Sequence, residues 1–205
     1  MSTATSLRAA VDEIILGPDW NGAAMTPHEY DAVEDCDELY VYELVNGVVI
    51  VSPPPLEAER DPNEDLGYML RRYQEEHPKG KCLDATLPEQ AVYCGRNRRR
   101  ADRVIWIGLG RQPNPRRDAP KIAIEFVSAG KRARRRDYQE KRREYRAFGV
   151  AEYWIIDRFE RVMTVYRADG TESVVSEGQT YRTPLLPGFK LDLARLFSRA
   201  DRWSE

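Results

Sequence analysis

Four charged side chains stand among apolar neighbours, and each needs a partner once the chain folds. Glu125 lies within Ile122-Ala123-Ile124-Glu125-Phe126-Val127. Side chains alternate along a strand, so Glu125 shares a face with Ala123 and Val127. Burying a carboxylate there is costly unless a metal ion or a lysine meets it. Asp102 follows Arg98-Arg99-Arg100-Ala101 and precedes the apolar run Val104-Ile105-Trp106-Ile107. It reads equally as one side of an ion pair or as half of a metal site. Glu43 sits between Tyr42 and Leu44, with Val41 and Val45 beyond them, so both faces of its strand look apolar. Lys141 falls on one helical face with Tyr138, Tyr145 and Phe148, and Asp137 lies one turn earlier on the same side. A lysine in an inward stripe either snorkels past the edge or meets a buried carboxylate. Taken singly, each acid is explained as well by a structural ion pair as by chemistry.

These residues need a scaffold. Thr26-Pro27-His28-Glu29 predicts a capped helix start, ending before the acidic run 34–38. Residues 40–45 and 48–51 predict a hairpin around the turn Asn46-Gly47. Asp61-Pro62-Asn63-Glu64 reads as a second helix start, followed by Leu66, Met69, Leu70 and Tyr73 at helical spacing, with Pro78 and Gly80 as the stop. Short strands are expected at 90–94 and 104–107, joined by a basic loop over 95–100. Residues 122–127 predict a strand, 131–148 a charged helix stopped by Gly149, and 153–157 another strand paired with 161–167. Strand, helix and strand form a right-handed βαβ unit. A short helix over 9–16 and another around 191–197 complete the expectation of one α/β domain with a mixed sheet. Residues 1–24 read as an N-terminal extension, 25–198 as the domain and 199–205 as a tail.

Composition narrows the classes. The 205 residues are 41% hydrophobic and 32% charged, with no apolar run near the roughly 20 residues of a membrane helix. The start, residues 1–8, lacks a secretory pattern. Cys36, Cys82 and Cys94 are odd in number and form no CxxC, while His28 and His77 are isolated. Neither a disulfide framework nor a zinc site is suggested, and a cytoplasmic setting is expected. The net charge of −2 hides an asymmetry. Residues 1–90 hold 6 Lys and Arg against 19 Asp and Glu, whereas residues 91–150 hold 18 against 6. A local excess of twelve positive charges is what a phosphate-binding surface needs, though a basic face can also serve solubility alone.

Several stretches together resemble one family. They are Tyr42-Glu43-Leu44-Val45-Asn46-Gly47, Arg100-Ala101-Asp102, Ile124-Glu125-Phe126-Val127-Ser128, Asp137 with Lys141 and Tyr145, and the run from Gly149 to Asp157. Pro184-Leu185-Leu186-Pro187-Gly188-Phe189 and Leu191-Asp192-Leu193 add to the likeness. The pattern is similar to a large bacterial family described as putative restriction endonucleases, formerly a domain of unknown function, within the PD-(D/E)XK nuclease superfamily. The resemblance runs from about Met25 to Phe197.

The resemblance implies a restriction-endonuclease-like core, a mixed β-sheet flanked by α-helices. It also implies hydrolysis of DNA phosphodiester bonds with Mg²⁺ or Mn²⁺, a choice that suits oxygen ligands without His or Cys. By motif, Asp102 and Glu125 would hold the metal, with the Phe126 carbonyl as a third candidate. Glu43 would be the additional acid and Lys141 the catalytic lysine, with Asp137 and Tyr145 in support. The superfamily's usual lysine position holds Val127, so Lys141 resembles a lysine that has migrated to the next helix. The usual proline before the aspartate is Ala101, Arg103 replaces an apolar residue, and residues 56–61 lack a histidine that the family often carries. Arg96, Arg98, Arg99 and Arg100, with Arg134, Arg135 and Arg136, are the expected backbone grips. Two copies would supply the two sites that a double-strand cut needs, making a homodimer the expected assembly. The alternatives are a non-catalytic nucleic-acid-binding or scaffold protein that keeps the fold, and a hydrolase of RNA or another phosphodiester.

Overall fold

The computed structural model describes residues 14–203. In chain order the elements are β1 (Ile15–Leu16), α1 (Pro27–Asp31), β2 (Asp35–Cys36), β3 (Val41–Val45), β4 (Val48–Ser52) and α2 (Glu57–Glu76). The long pair β5 (Leu83–Cys94) and β6 (Asn97–Ile107) follows, then β7 (Ile122–Phe126). Next come α3 (Lys131–Arg135), a π-helical turn (Arg136–Lys141) and α4 (Arg142–Phe148). The chain continues through β8 (Glu152–Asp157), β9 (Val162–Arg167), β10 (Glu172–Ser176), β11 (Thr180–Tyr181), β12 (Leu191–Asp192) and α5 (Leu193–Asp201).

Among the described residues the main sheet has eight strands, ordered β10-β9-β8-β7-β6-β3-β4, with β5 also on β6. Only β7 and β8 in this sheet run parallel, joined through α3 and α4 as the strand-helix-strand pattern requires. Helices cover both faces. On one, Leu66 and Leu70 of α2 and Leu196 and Phe197 of α5 meet Ile105, Ile124 and Trp154. On the other, Tyr145 of α4 meets Val104, Trp106, Ala123 and Ile155. Each such side chain contributes about 1.5–3 kcal/mol through burial. The mixed sheet with flanking helices is the fold class expected from the sequence.

Local chemistry explains the boundaries. Thr26 and Glu29 form the anticipated capping box on α1. Asn46 and Gly47, both at positive φ, close the β3–β4 hairpin. The second helix starts four residues earlier than expected, at Glu57. Glu59 reaches back to the Leu56 amide at 3.1 Å and caps it, so Pro62 lies inside the helix. The last helix is α5 over Leu193–Asp201, shifted from the anticipated 191–197. For the helix expected over 9–16, residues 9–13 lie outside those described, and Ile15–Leu16 form a strand parallel to β2. Leu16 is buried with Met25, Leu44 and Val49. No helix among the described residues is long and apolar enough to cross a membrane.

The largest correction concerns residues 95–100. Only Gly95 and Arg96 form the turn; Arg98, Arg99 and Arg100 are strand residues of β6. Arg103, which stands where the family carries an apolar residue, lies within β6 and is itself buried. Its guanidinium lies under α2, with Nε 2.7 Å from Asn63 Oδ1 and Nη2 2.9 Å from the Asn63 carbonyl. Gly67 makes this approach possible, because a Cβ there would fall 2.6 Å from Arg103 Nη2. Burial pulls the Arg103 pKa down to about 10.

Candidate active site

One edge of β6 is paired with β5 along its length; the other changes partner midway. Arg98 pairs with Leu44 of β3, and Arg103 with Ile124 of β7. Between them, the main chain of Arg100 finds its partners in side chains. Its N–H donates to Glu43 Oε1 at 2.8 Å, and its carbonyl accepts from Lys141 Nζ at 2.7 Å. The gap between two strands is therefore lined by groups that must satisfy exposed peptide atoms.

One step along from Arg103 and Ile124, the register sets Asp102 opposite Glu125. Directly opposed residues share a face, so both carboxylates project to the side of α3 and α4. Glu125 is only 2% exposed, and both its oxygens are held: Oε2 by Lys141 Nζ at 2.8 Å and Oε1 by the Tyr145 hydroxyl at 3.0 Å. The Asp102 carboxylate accepts from the Phe126 amide at 2.5 Å, and its carbonyl accepts from Asn63 Nδ2 at 2.8 Å. Lys141 also stands 3.6 Å from Glu43.

The π-helical turn places Lys141. One wider turn at Arg136–Lys141 lets both Asp137 and Lys141 face inward with Tyr145, and all three are buried. Asp137 accepts from Arg136, and its carbonyl accepts from Tyr153. Tyr138 and Phe148, expected on the same stripe, are only partly buried.

The electrostatics follow from burial and charge. Burial lifts the Glu125 carboxyl to about 7 despite the neighbouring Lys141. Asp102 is pushed well above the usual carboxylate range by burial and then by Glu125. Burial also works against the Glu43 anion, but Lys141, Arg99 and the Arg100 amide outweigh it and hold that pKa below its ordinary value. Lys141 loses solvation too, yet Glu125, Glu43 and Asp137 keep its pKa raised, so it remains an ammonium. A cavity of about 260 Å³ opens onto these groups, lined among others by Glu43, Glu59, Glu89, Asp102, Arg136 and Lys141.

Glu59 and Glu89 were missed in the sequence. Glu59 looks like an ordinary capping glutamate. Glu89 lies within β5, outside the strand expected at 90–94, at φ 47° between Pro88, paired with Arg103, and Gln90, paired with Ala101. Its carboxylate meets Arg100 Nε at 3.1 Å.

The arginines divide into two groups. Arg99 is 2% exposed and clamped by Glu144 through two 2.7 Å hydrogen bonds, so it is not available to grip a phosphate. Arg98 is held by both oxygens of Asp31, at 2.7 and 2.6 Å, and is likewise removed from that role. Arg100 is half-exposed beside Glu89, and Arg96 is exposed on the turn. Arg134 pairs with Asp157 at 2.7 Å. Arg135, 73% exposed, joins Arg132 and Arg136 in a groove of about 660 Å³ beside Ser128 and Pro53.

The donor set suits a hard divalent cation: every side-chain ligand candidate offers oxygen, and one buried oxygen, Glu59 Oε1, has no hydrogen-bond partner. Among the described residues no three His, Cys, Asp or Glu side chains form a preassembled cluster. The Glu125 carboxylate is neutralised by Lys141 instead.

Comparison with known proteins agrees with this architecture. The chain is similar in fold to a crystal structure titled as a putative nuclease belonging to DUF820 from Anabaena variabilis. The TM-score is 0.69 at 16% identity, covering 86% of this chain and 99% of that one. No curated protein matches the sequence. The model of the Uma2 family, described as "Putative restriction endonuclease", matches residues 27–194. That match spans most of the chain, and the protein belongs to this family.

Proposed function

We propose that the protein is a metal-dependent endonuclease that hydrolyses DNA phosphodiester bonds. The observation that carries the reading is the opposition of Asp102 and Glu125 on one face of the sheet, with the Lys141 ammonium 2.8 Å from Glu125. Asp102, Glu125 and the Phe126 carbonyl would hold Mg²⁺ or Mn²⁺. A bound divalent ion supplies Lewis acidity, polarising the phosphate and lowering the pKa of a coordinated water. The chain's own residues do the rest. Tyr145 fixes one oxygen of Glu125 and so sets the direction of the other. Lys141 places a positive charge beside the carboxylates, where it orients the attacking water or balances charge on the phosphoryl oxygens. Glu43 anchors Lys141 and the Arg100 amide. Arg132, Arg135 and Arg136 border the site and suit the phosphates of a nucleic-acid backbone.

The test is nicking of supercoiled plasmid by purified protein with Mg²⁺ or Mn²⁺, with Asp102→Ala as control. Cleavage that needs the metal and disappears in the variant is expected. Cleavage unchanged from wild type in both Asp102→Ala and Glu125→Ala would reject the site.

A further inference from the structure

The nuclease reading leaves unused a cavity of about 490 Å³ beside the candidate site. Tyr30, Tyr93, Arg98 and Arg100 are among its lining. Arg100 also lines the cavity of Asp102 and Lys141, so the two spaces are neighbours. Burial, Glu43 among other groups, and the loss of solvent push the Tyr30 phenol above its ordinary pKa, so it stays a neutral flat ring. The edge of Arg98 is occupied. Its Nε and Nη2 donate to Asp31 at 2.7 and 2.6 Å, and its Nη1 donates to the Gly95 and Asn97 carbonyls at 2.9 and 3.1 Å. Its Cζ lies 4.8 Å from the centre of the Tyr93 ring. A guanidinium held by its edge offers a flat face, on which aromatic rings stack. Arg100 is already paired with Glu89 at 3.1 Å. The exposed carboxylates of Glu34, Asp35 and Glu38 complete the lining. With its arginines paired and its acids exposed, the cavity repels phosphate and offers acceptors to N–H groups. A neutral flat ring that carries N–H donors fits this lining. A nucleobase is such a ring, and one is tethered to every phosphate that reaches the neighbouring site.

We propose that this cavity receives one unpaired nucleobase of the strand held at the candidate site, stacked among Tyr30, Tyr93 and Arg98, with its N–H groups donating to the acids of the lining. A base inside a duplex cannot enter, so the substrate strand is single or locally opened where it meets the protein. This rests on the nuclease reading, and the experiment separates the two. Fluorescein-labelled single strands are titrated with the full chain in chelator and followed by fluorescence anisotropy. One strand is a short oligodeoxycytidylate; the other has the same length and backbone but no bases. The wild type is expected to bind the cytosine strand about tenfold more tightly than the abasic strand. Tyr30→Leu and Tyr93→Leu should each remove that difference and leave the affinity for the abasic strand unchanged. Leucine keeps apolar bulk against Leu16 and Met25 at position 30, and thermal melting checks that each variant folds. Should one variant melt as an unfolded chain, the other is read in its place. Equal affinity of the wild type for the two strands, or a full preference kept by a folded variant, overturns the inference. Metal-dependent plasmid nicking without a base preference overturns this inference alone. A base preference in a protein that never nicks with Mg²⁺ or Mn²⁺ overturns the nuclease reading alone.

Discussion

Tyr145 donates a 3.0 Å hydrogen bond to Glu125 from one turn beyond Lys141, so a single helical segment holds both oxygens of one buried carboxylate. Tyr145→Phe removes the hydroxyl and leaves Glu125 Oε1 bare in an apolar setting. A stability loss of about 1–3 kcal/mol is expected in denaturant melts, together with slower nicking. Unchanged stability would mean that the hydroxyl is dispensable for fixing Glu125.

Lys141→Ala strips a cation from two buried acids and a donor from the Arg100 carbonyl. Breaking a buried pair on one side costs about 3–5 kcal/mol. Turnover is expected to fall by about 10²–10⁴ if the ammonium assists proton transfer or charge balance. Stability and nicking rate measured on the same preparation separate the two losses. A variant of intact turnover would remove Lys141 from the mechanism.

In protein stripped of divalent ions, burial raises the Glu125 carboxyl from 4.5 to about 7. Between those values the folded chain binds the proton more tightly than the unfolded chain does. This contribution is therefore fully present below about 4.5 and is lost as pH rises towards 7. Glu125→Gln cannot titrate and should lack that slope. Urea melts in chelator across the window check it; parallel curves for wild type and variant would contradict the raised carboxyl.

The two kinds of arginine should answer differently to substitution. Arg135→Ala exposes no buried acid, so it should leave stability unchanged, weaken DNA binding and lower the salt slope by about 1. Arg98→Ala unpairs Asp31 and should lower stability instead. Binding measured at several salt concentrations, beside thermal melts, distinguishes them. The opposite assignment would place the phosphate path on the Arg98 side.

Much of this was legible because local rules acted alone. The Asn46-Gly47 turn, the Thr26 capping box and the apolar frame of Glu125 each carry their reason within a few residues. Lys141 was reachable from helical spacing, although the π-helical turn altered which stripe members are buried. The basic run 98–100 misled, since consecutive arginines resemble a solvated loop. Their strand is permitted by Asp31, Glu144 and Glu89, and two of these acids lie more than forty residues away. Glu59 and Glu89 gain meaning only from the cavity they share, which no spacing announces.

Arg100 hangs its main chain on Glu43 and Lys141 rather than on a neighbouring strand. Those two side chains thus act as rungs of the ladder. Any movement of the Lys141 ammonium must also unzip a peptide from its seam. Such coupling makes the seam a latch, held shut by the same two charges that hold each other.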